Sequence, residues 1–198
     1  MSQLTENYII AVMARDRPGI IATITHSVFA MGGNVIELSQ TVMRGYFSLI
    51  LCATLPAETQ PETIRKGIEK TGKAMGLSAS VCRFDPQSLF TPEKNTGIWF
   101  LTLQGQDRPG LIYQVTSHLA DLEINIEDLY TRSEGKAITM ILQIHPASPH
   151  SAEQLRNELE SLGGRLGIGI HLLHQDILRA TSEVGAIRRL VRQAKGGE

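Results

Sequence analysis

Two short segments of this sequence bring together residue types that could bind a small zwitterion. Residues 14–21 read ARDRPGII and residues 104–112 read QGQDRPGLI, so each holds Asp, Arg, Pro and Gly in succession. The carboxylate of Asp16 or Asp107 could accept hydrogen bonds from an ammonium group. If a helix begins at the Pro-Gly pair, its free N–H groups and positive dipole end would suit a carboxylate. The motif therefore predicts a site for both charged ends of an amino acid.

The proline and glycine of each motif are expected to shape the start of that helix. Pro18 and Pro109 are predicted in the first helical turn, where the missing N–H of proline costs nothing. Gly19 and Gly110 carry no side chain, so we expect the backbone there to be open to a ligand. Both features favour a ligand close to the main chain.

An asparagine follows each predicted helix at the same distance. Asn34 and Asn125 each offer a donor and an acceptor. The preceding segments differ, since the first reads MGGNV and the second LEINI. We expect the two glycines to leave the backbone exposed beside Asn34, and Glu123 to repel a ligand carboxylate beside Asn125. The first copy is therefore predicted to be the better site.

Each of these residues also has a purely structural explanation. Asp is a common N-cap, Pro-Gly commonly opens helices, and Asn is common in the turn before a strand. The residues alone leave open whether they bind a ligand or only cap and turn the chain.

The similarity between the halves extends beyond the motif. An offset of 91 residues relates Asp16 to Asp107 and also relates the apolar positions of a predicted helix in each half. Their spacing is typical of a helix with one buried face. A second helix is predicted around Ile64 and Ile68, and its counterpart around Leu155 and Leu159. The paired positions of the first helix are Ile20, Ile21, Ile24, Val28 and Met31 with Leu111, Ile112, Val115, Leu119 and Leu122.

Each half predicts strand, helix, two strands, helix, strand, with hairpin turns at Gly45 and Gly135. This βαββαβ order is that of the ferredoxin-like plait, an α+β fold with a four-stranded antiparallel sheet and both helices on one face. In that plait the first strand separates the strands that carry Cys52 and Cys82, so we expect no disulfide between them. The predicted parts are a first domain (1–84), a linker (85–96), a second domain (97–173) and an amphipathic helical extension (174–198).

Over residues 7 to about 173, the succession of strand, DRPG, helix and Asn resembles the tandem ACT-domain proteins. Among these, the chain is most similar to the glycine cleavage system transcriptional repressor family. The resemblance implies two ferredoxin-like ACT domains that bind amino acids at interfaces between paired domains, and regulation without catalysis or a cofactor. The candidate ligand-binding residues are Asp16, Arg17, Gly19, Ile20, Asn34, Asp107, Gly110, Leu111 and Asn125.

Composition limits the choice of partners. The chain has 198 residues, 20% of them charged, and a net charge of -1. Such a balance disfavours broad attachment to nucleic acid or an anionic membrane. No apolar run approaches the ~18 residues of a membrane span, and MSQLTENY lacks an export pattern, so we expect a cytoplasmic protein.

Two other features invite different interpretations. Four histidines, at positions 145, 150, 171 and 174, could indicate a metal, but no cysteine joins them, and strand alternation places His171 and His174 on opposite faces. We therefore expect no metal site. The segment 184–195 alternates apolar and basic residues as an amphipathic helix does. Its docking on the chain's own sheet or on a second copy, and its contact with a partner protein or nucleic acid, both remain open.

These observations predict a non-enzymatic regulator that binds a small amino acid, such as glycine or serine, self-associates as a homodimer and acts on a partner protein. One alternative is a repressor that binds DNA directly, although neither half contains a helix-turn-helix pattern. A further alternative is an enzyme that transforms a small molecule in the same cleft.

Overall fold

The computed structural model describes residues 4–89, 97–148 and 151–175. The chain divides into two compact units, with the boundary between Leu89 and Phe90. The predicted linker beyond Leu89, His150 and the predicted extension beyond Gln175 lie outside the described residues.

The first unit is a four-stranded antiparallel sheet with two α-helices. The sheet order is β2-β3-β1-β4, so β1 is paired on both sides. A short 3-10 turn, Lys73–Met75, separates the second helix from the last strand. The elements are β1 (Thr5–Arg15), α1 (Ile20–Ala30), β2 (Asn34–Met43), β3 (Tyr46–Pro56), α2 (Pro61–Thr71) and β4 (Ser78–Arg83).

The second unit repeats this architecture. Its sheet order is β6-β7-β5-β8, which corresponds strand for strand to the first unit. The α+β prediction of two ferredoxin-like βαββαβ domains in tandem is therefore confirmed. The elements are β5 (Trp99–Gln106), α3 (Leu111–Asp121), β6 (Ile124–Glu134), β7 (Ala137–Pro146), α4 (Ala152–Leu166) and β8 (Ile168–His174).

Alternation along the strands builds each core. In β1 the side chains of Tyr8, Ile10 and Val12 are buried, while the residues between them are more exposed. Period-2 alternation places every second side chain on the helix-covered face. Full burial of a large aliphatic side chain contributes about 1.5–3 kcal/mol. The apolar face of the sheet therefore dictates where the helices pack.

The positions of the first helix that pack inward were predicted correctly except at one position in each half. Ile20 and Ile24 of α1 are buried, but Ile21 is 39% exposed and its counterpart Ile112 is 40% exposed. Successive helix residues are separated by about 100° around the axis. Ile21 and Ile112 therefore lie at the edge of the buried face and contribute little to the core.

The two cysteines lie on opposite sides of the central strand. Ile9 of β1 pairs with Cys52 of β3 and with Cys82 of β4. Two strand spacings amount to roughly 10 Å, which exceeds the separation that a disulfide spans. Both cysteines are free thiols, as the sequence predicted.

The end of the first helix in each unit requires a left-handed residue. Gly32 follows α1 with φ of 76°, and Glu123 follows α3 with φ of 54°. Left-handed residues commonly end helices, and glycine adopts this conformation without steric cost. Glu123 therefore introduces backbone strain that the first unit avoids.

We predict that Glu123→Gly stabilises the second unit. Relief of about 1–2 kcal/mol of left-handed strain exceeds the roughly 0.5–1 kcal/mol that glycine costs in chain entropy. Trp99 is the chain's one tryptophan and is 7% exposed in the second unit, so its fluorescence reports the unfolding of that unit. The midpoint of denaturation followed at Trp99 should increase.

Gly32→Ala is the matched control. It should lower the stability of the first unit, followed by circular dichroism, and should leave the Trp99 transition unchanged. A lower Trp99 midpoint for Glu123→Gly would show that the glutamate side chain makes a stabilising contact that outweighs its strain.

Candidate functional site

Each Asp-Arg-Pro-Gly motif is anchored to the hairpin turn of its own unit. The backbone N–H of Asp16 donates to the Gly45 carbonyl at 2.9 Å, and that of Asp107 donates to the Lys136 carbonyl at 2.8 Å. Both aspartate side chains are exposed. The backbone of the motif is thus fixed while the carboxylate points away from the core, an arrangement that can receive a cationic group.

Glycine, and not aspartate, caps the helix that follows. Gly19 caps α1 with φ of 92°, Gly110 caps α3 with φ of 83°, and no side chain caps either helix start. The first-turn N–H groups therefore lack a side-chain acceptor, which suits an incoming carboxylate. The interpretation of Asp16 and Asp107 as N-caps is wrong for both helices.

Two sequence expectations about the motif need correction. Pro18 and Pro109 lie in the turn before the capping glycine, outside the first helical turn. The left-handed backbone is sufficient reason for Gly19 and Gly110, because most side chains are strained there. These glycines are thus explained by the turn, whether or not a ligand approaches them.

Arg17 leans toward the 3-10 turn of the first unit. Its Nη1 donates to the Ala74 carbonyl at 3.4 Å. Thr23 of α1 donates to the Gly19 carbonyl at 3.0 Å and lies 3.6 Å from the sulfur of Met75. The motif is thereby held against the segment that leads into β4, with the Arg17 side chain exposed.

Ile20 and Leu111 are core residues. Their relative exposures are 2% and 1%, and each packs in the hydrophobic core of its unit. Their side chains are therefore unavailable to a ligand. Only their backbone N–H groups could contribute to the predicted site, and that of Leu111 already donates to the Arg108 carbonyl at 3.2 Å, so a ligand in the second unit would have to share or displace this bond.

Asn34 lies at the opposite end of the sheet from Asp16. Asn34 pairs with Thr54 of β3, and Thr54 pairs in turn with Asn7 of β1. Asn7 precedes Asp16 by nine residues. At about 3.3 Å per strand residue, the separation along β1 is roughly 30 Å. One amino acid cannot contact both side chains within this unit.

The second unit has the same geometry. Asn125 pairs with His145, one position beyond the Trp99 and Ile144 pair. Trp99 precedes Asp107 by eight residues, or about 26 Å of strand. The sequence identified the repeated elements but could not show that the intervening helix carries each asparagine away from its motif.

Neighbouring residues occupy the space that a side chain at Gly33, beside Asn34, would need. A Cβ at Gly33 would lie 2.8 Å from Cγ of Leu55 and 2.9 Å from the Thr54 carbonyl oxygen. A side chain could therefore not be accommodated at Gly33, which is half-buried, whereas Gly32 before it is exposed, and the predicted open backbone beside Asn34 stays a prediction. In the second unit the corresponding Ile124 is buried, so both copies use this position for the core.

Polar side chains outside the Asp-Arg-Pro-Gly motif lie near Asn125. His145, its cross-strand partner, has Nδ1 2.9 Å from Oε1 of Glu127, and Gln143 donates to the other carboxylate oxygen. The 91-residue offset relates Glu127 to Ile36, so this difference was visible in the sequence. Across the described ranges, no group of three His, Cys, Asp or Glu residues is arranged to hold a metal ion.

A groove of about 230 Å³ lies between α4 and the edge strand β8, with Arg156 and Glu160 on its helix side. The corresponding first-unit residues form an ion pair, with Arg65 Nη1 2.6 Å from Glu69. Glu69 also accepts the Ala79 N–H of β4 at 3.2 Å. Arg65 also donates to Glu62, three residues earlier in α2, and this hydrogen bonding lowers the pKa of Glu62 to about 2.

A protein-family model for the ACT domain matches residues 6–82 and 98–172, which together exceed half of the chain. The chain belongs to the ACT-domain family. It is a tandem member, because the two matched segments coincide with the two sheets. The resemblance predicted from the motifs is thus confirmed.

Relatives of one-domain length include two archaeal proteins, each named UPF0237 protein. That of Methanosarcina mazei is 32% identical over 78 residues, which is 39% of this chain and 85% of the relative. That of Methanopyrus kandleri is 32% identical over 85 residues, which is 42% of this chain and 94% of the relative.

Two solved structures share the tandem fold. A protein of unknown function from Galdieria sulphuraria has a TM-score of 0.71 at 22% identity and covers 86% of this ACT chain and 99% of its own. A candidate glycine cleavage system transcriptional repressor has a TM-score of 0.63 at 19% identity, with 86% and 98% covered. At these identities the likeness shows the fold alone.

Within the described ranges, none of the helices combines the length and apolarity that crossing a membrane requires.

We predict that Gly110→Ala and Asp107→Ala separate the structural and binding roles of the motif. Gly110→Ala should destabilise the second unit by about 1 kcal/mol because alanine is strained at this backbone conformation. Asp107→Ala removes an exposed carboxylate and should change stability by less than about 0.5 kcal/mol. Denaturation followed at Trp99 measures both. Equal losses would show that the Asp107 side chain is structural.

Proposed function

We propose that this tandem ACT protein is a non-enzymatic regulator of the cytoplasm that binds a small amino acid, such as glycine or serine. The observation that carries the proposal is a helix start whose first-turn N–H groups have no side-chain cap, next to an exposed aspartate, found in both units. Those groups complement the carboxylate and the ammonium of a free amino acid.

We assign each binding site to the ACT domains of two copies of the chain. One contributes Asp16, Arg17 and the N–H groups at Gly19 and Ile20, and the other contributes an asparagine equivalent to Asn34. The separation of roughly 30 Å within one unit supports this assignment, because a single amino acid spans only a few ångströms. The matching candidates of the second unit are Asp107, Gly110, Leu111 and Asn125.

The edge strand β2 supports self-association as a homodimer. It exposes Leu38 at 41%, and Val42 and Met43 are exposed as well. As the first strand in the sheet order, β2 has one side of its backbone that no other described strand pairs with. Long apolar edge strands favour pairing with another strand. Pairing through β2 would also bring a second ACT domain beside Asn34, the first residue of this strand.

We expect a partner protein to receive the signal. A site formed by two domains couples ligand binding to domain pairing, because the ligand stabilises only the paired state. The fold shared with a candidate glycine cleavage system transcriptional repressor supports a role in the regulation of amino-acid metabolism. The balanced net charge of -1 argues for protein contact over direct DNA contact.

We predict that Leu38→Lys weakens self-association. The change places a charge on the exposed apolar edge, where a pairing strand would have to desolvate it. Light scattering across a range of protein concentrations should show a shift toward monomer. Ser39→Lys, on the opposite face of the same strand, is the control for added charge alone. A strict monomer in the unmodified chain would refute the homodimer.

We predict that a thermal-shift screen of free amino acids identifies a stabilising ligand. With that ligand, Asp16→Ala or Asn34→Ala should lower affinity about ten- to a hundred-fold, since each removes a charge-assisted hydrogen bond worth about 1.5–3 kcal/mol. Calorimetry measures the affinities, and Asn125→Ala should have the smaller effect.

Three outcomes would contradict this assignment. Full affinity in Asn34→Ala would make the asparagine a strand-opening turn residue, and equal losses at both asparagines would indicate two equivalent sites. Filter binding to DNA with a steep salt dependence would instead identify a repressor that contacts DNA directly.

A further inference from the structure

Both units place an extra residue in the strand that begins with the asparagine. The pairing register shifts between Val35 and Glu37 in β2, and between Ile126 and Asp128 in β6. The extra residue is Ile36 in the first unit and Glu127 in the second. A β-bulge bends its strand and redirects a side chain, and bulges are common beside binding sites. The two units thus present different side chains from one backbone feature.

In the second unit the bulge residue reaches the neighbourhood of Asn125. Its carboxylate contacts His145 at 2.9 Å, and His145 lies directly across from Asn125. Directly opposed residues have Cβ atoms about 4.5–5.5 Å apart. A group held by Asn125 is therefore within reach of the Glu127 carboxylate.

The Glu127 carboxylate is also held in place. Oε1 contacts His145, Oε2 accepts from Gln143, and the Glu127 side chain is 31% exposed. A carboxylate oxygen has two lone pairs, so each oxygen can accept another hydrogen bond. The second unit therefore offers a positioned, accessible acceptor beside Asn125.

The first unit has an apolar bulge residue at the same place. Ile36 is 55% exposed, and the hydroxyl of Thr54 donates to Oδ1 of Asn7, on the side away from Asn34. Cys52 replaces Gln143 by the 91-residue offset, and burial raises the pKa of its thiol, which keeps it uncharged. The Ile36 side chain itself cannot pair with a polar ligand group, and the one carboxylate at this bulge, that of Glu37, lies across from Cys52 and not beside Asn34.

We propose that the bulge residue determines which amino-acid side chain each site accepts. The site at Asn125 takes a side chain that donates a hydrogen bond, and the site at Asn34 takes a small or apolar one. This inference rests on the proposed function, since it adds side-chain selection to the same site. A positioned carboxylate strengthens the binding of a ligand that can donate to it, whereas an apolar pocket discriminates weakly against a hydroxyl.

L-Threonine and L-valine are suitable probes because they share a shape and differ by one hydroxyl donor. By calorimetry, the unmodified chain should have one site that prefers threonine by about ten-fold or more, the effect of a hydrogen bond to a charged acceptor. Glu127→Ile should abolish this preference without loss of valine binding. Ile36→Glu, combined with Cys52→Gln and Thr54→His to hold the new carboxylate, should create a second threonine-preferring site.

Glu127→Gln is the conservative variant, because an amide keeps an acceptor of the same shape. It should retain part of the threonine preference, while circular dichroism and Trp99 emission verify the fold of every variant. Amino-acid binding with the same threonine-to-valine ratio in Glu127→Ile and the unmodified chain would overturn this inference alone. If no amino acid binds the unmodified chain, the proposed function fails and the inference fails with it.

Discussion

The position of β1 between two antiparallel partners is the constraint on which the rest of each unit depends. β1 pairs with β3 over its eleven residues and with β4 over six of them. This register leaves one face for the helices and fixes Asp16 at one end of the sheet. The return through α1 then places Asn34 at the other end. The candidate ligand-binding residues are therefore divided between the two ends of a single small domain.

Much of the fold could be predicted from the sequence because its signals are local and occur twice. Alternation in β1, the stripe through Ile24 and Val28, and the turn at Gly45 each follow from nearest-neighbour geometry. Because the pattern repeats at a fixed offset, each prediction rested on two copies of the same signal. The error at Ile21 arose because an isoleucine beside a buried face looks the same in sequence as one within it.

The candidate site was harder to predict, because the order of the strands and helices decides which residues lie close together in space. Asp16 and Asn34 are eighteen residues apart in the chain, and a sequence pattern does not show that a helix and a strand separate them in space. The positive φ of Gly19 cannot be read from the sequence either, so the glycine could be explained by an approaching ligand instead of by the turn. Glu127 was missed because its importance comes from a bulge and from a histidine across the sheet.

The ion pair between Arg65 and Glu69 has a consequence for solubility. A half-exposed pair on one helix contributes little to folding free energy. Glu69, however, also occupies the N–H of Ala79 on the edge strand β4, a donor that an added strand would need. Native proteins suppress aggregation by blocking such edges. The first unit thereby protects one edge of its sheet with a side chain, at the place where the second unit has an open groove.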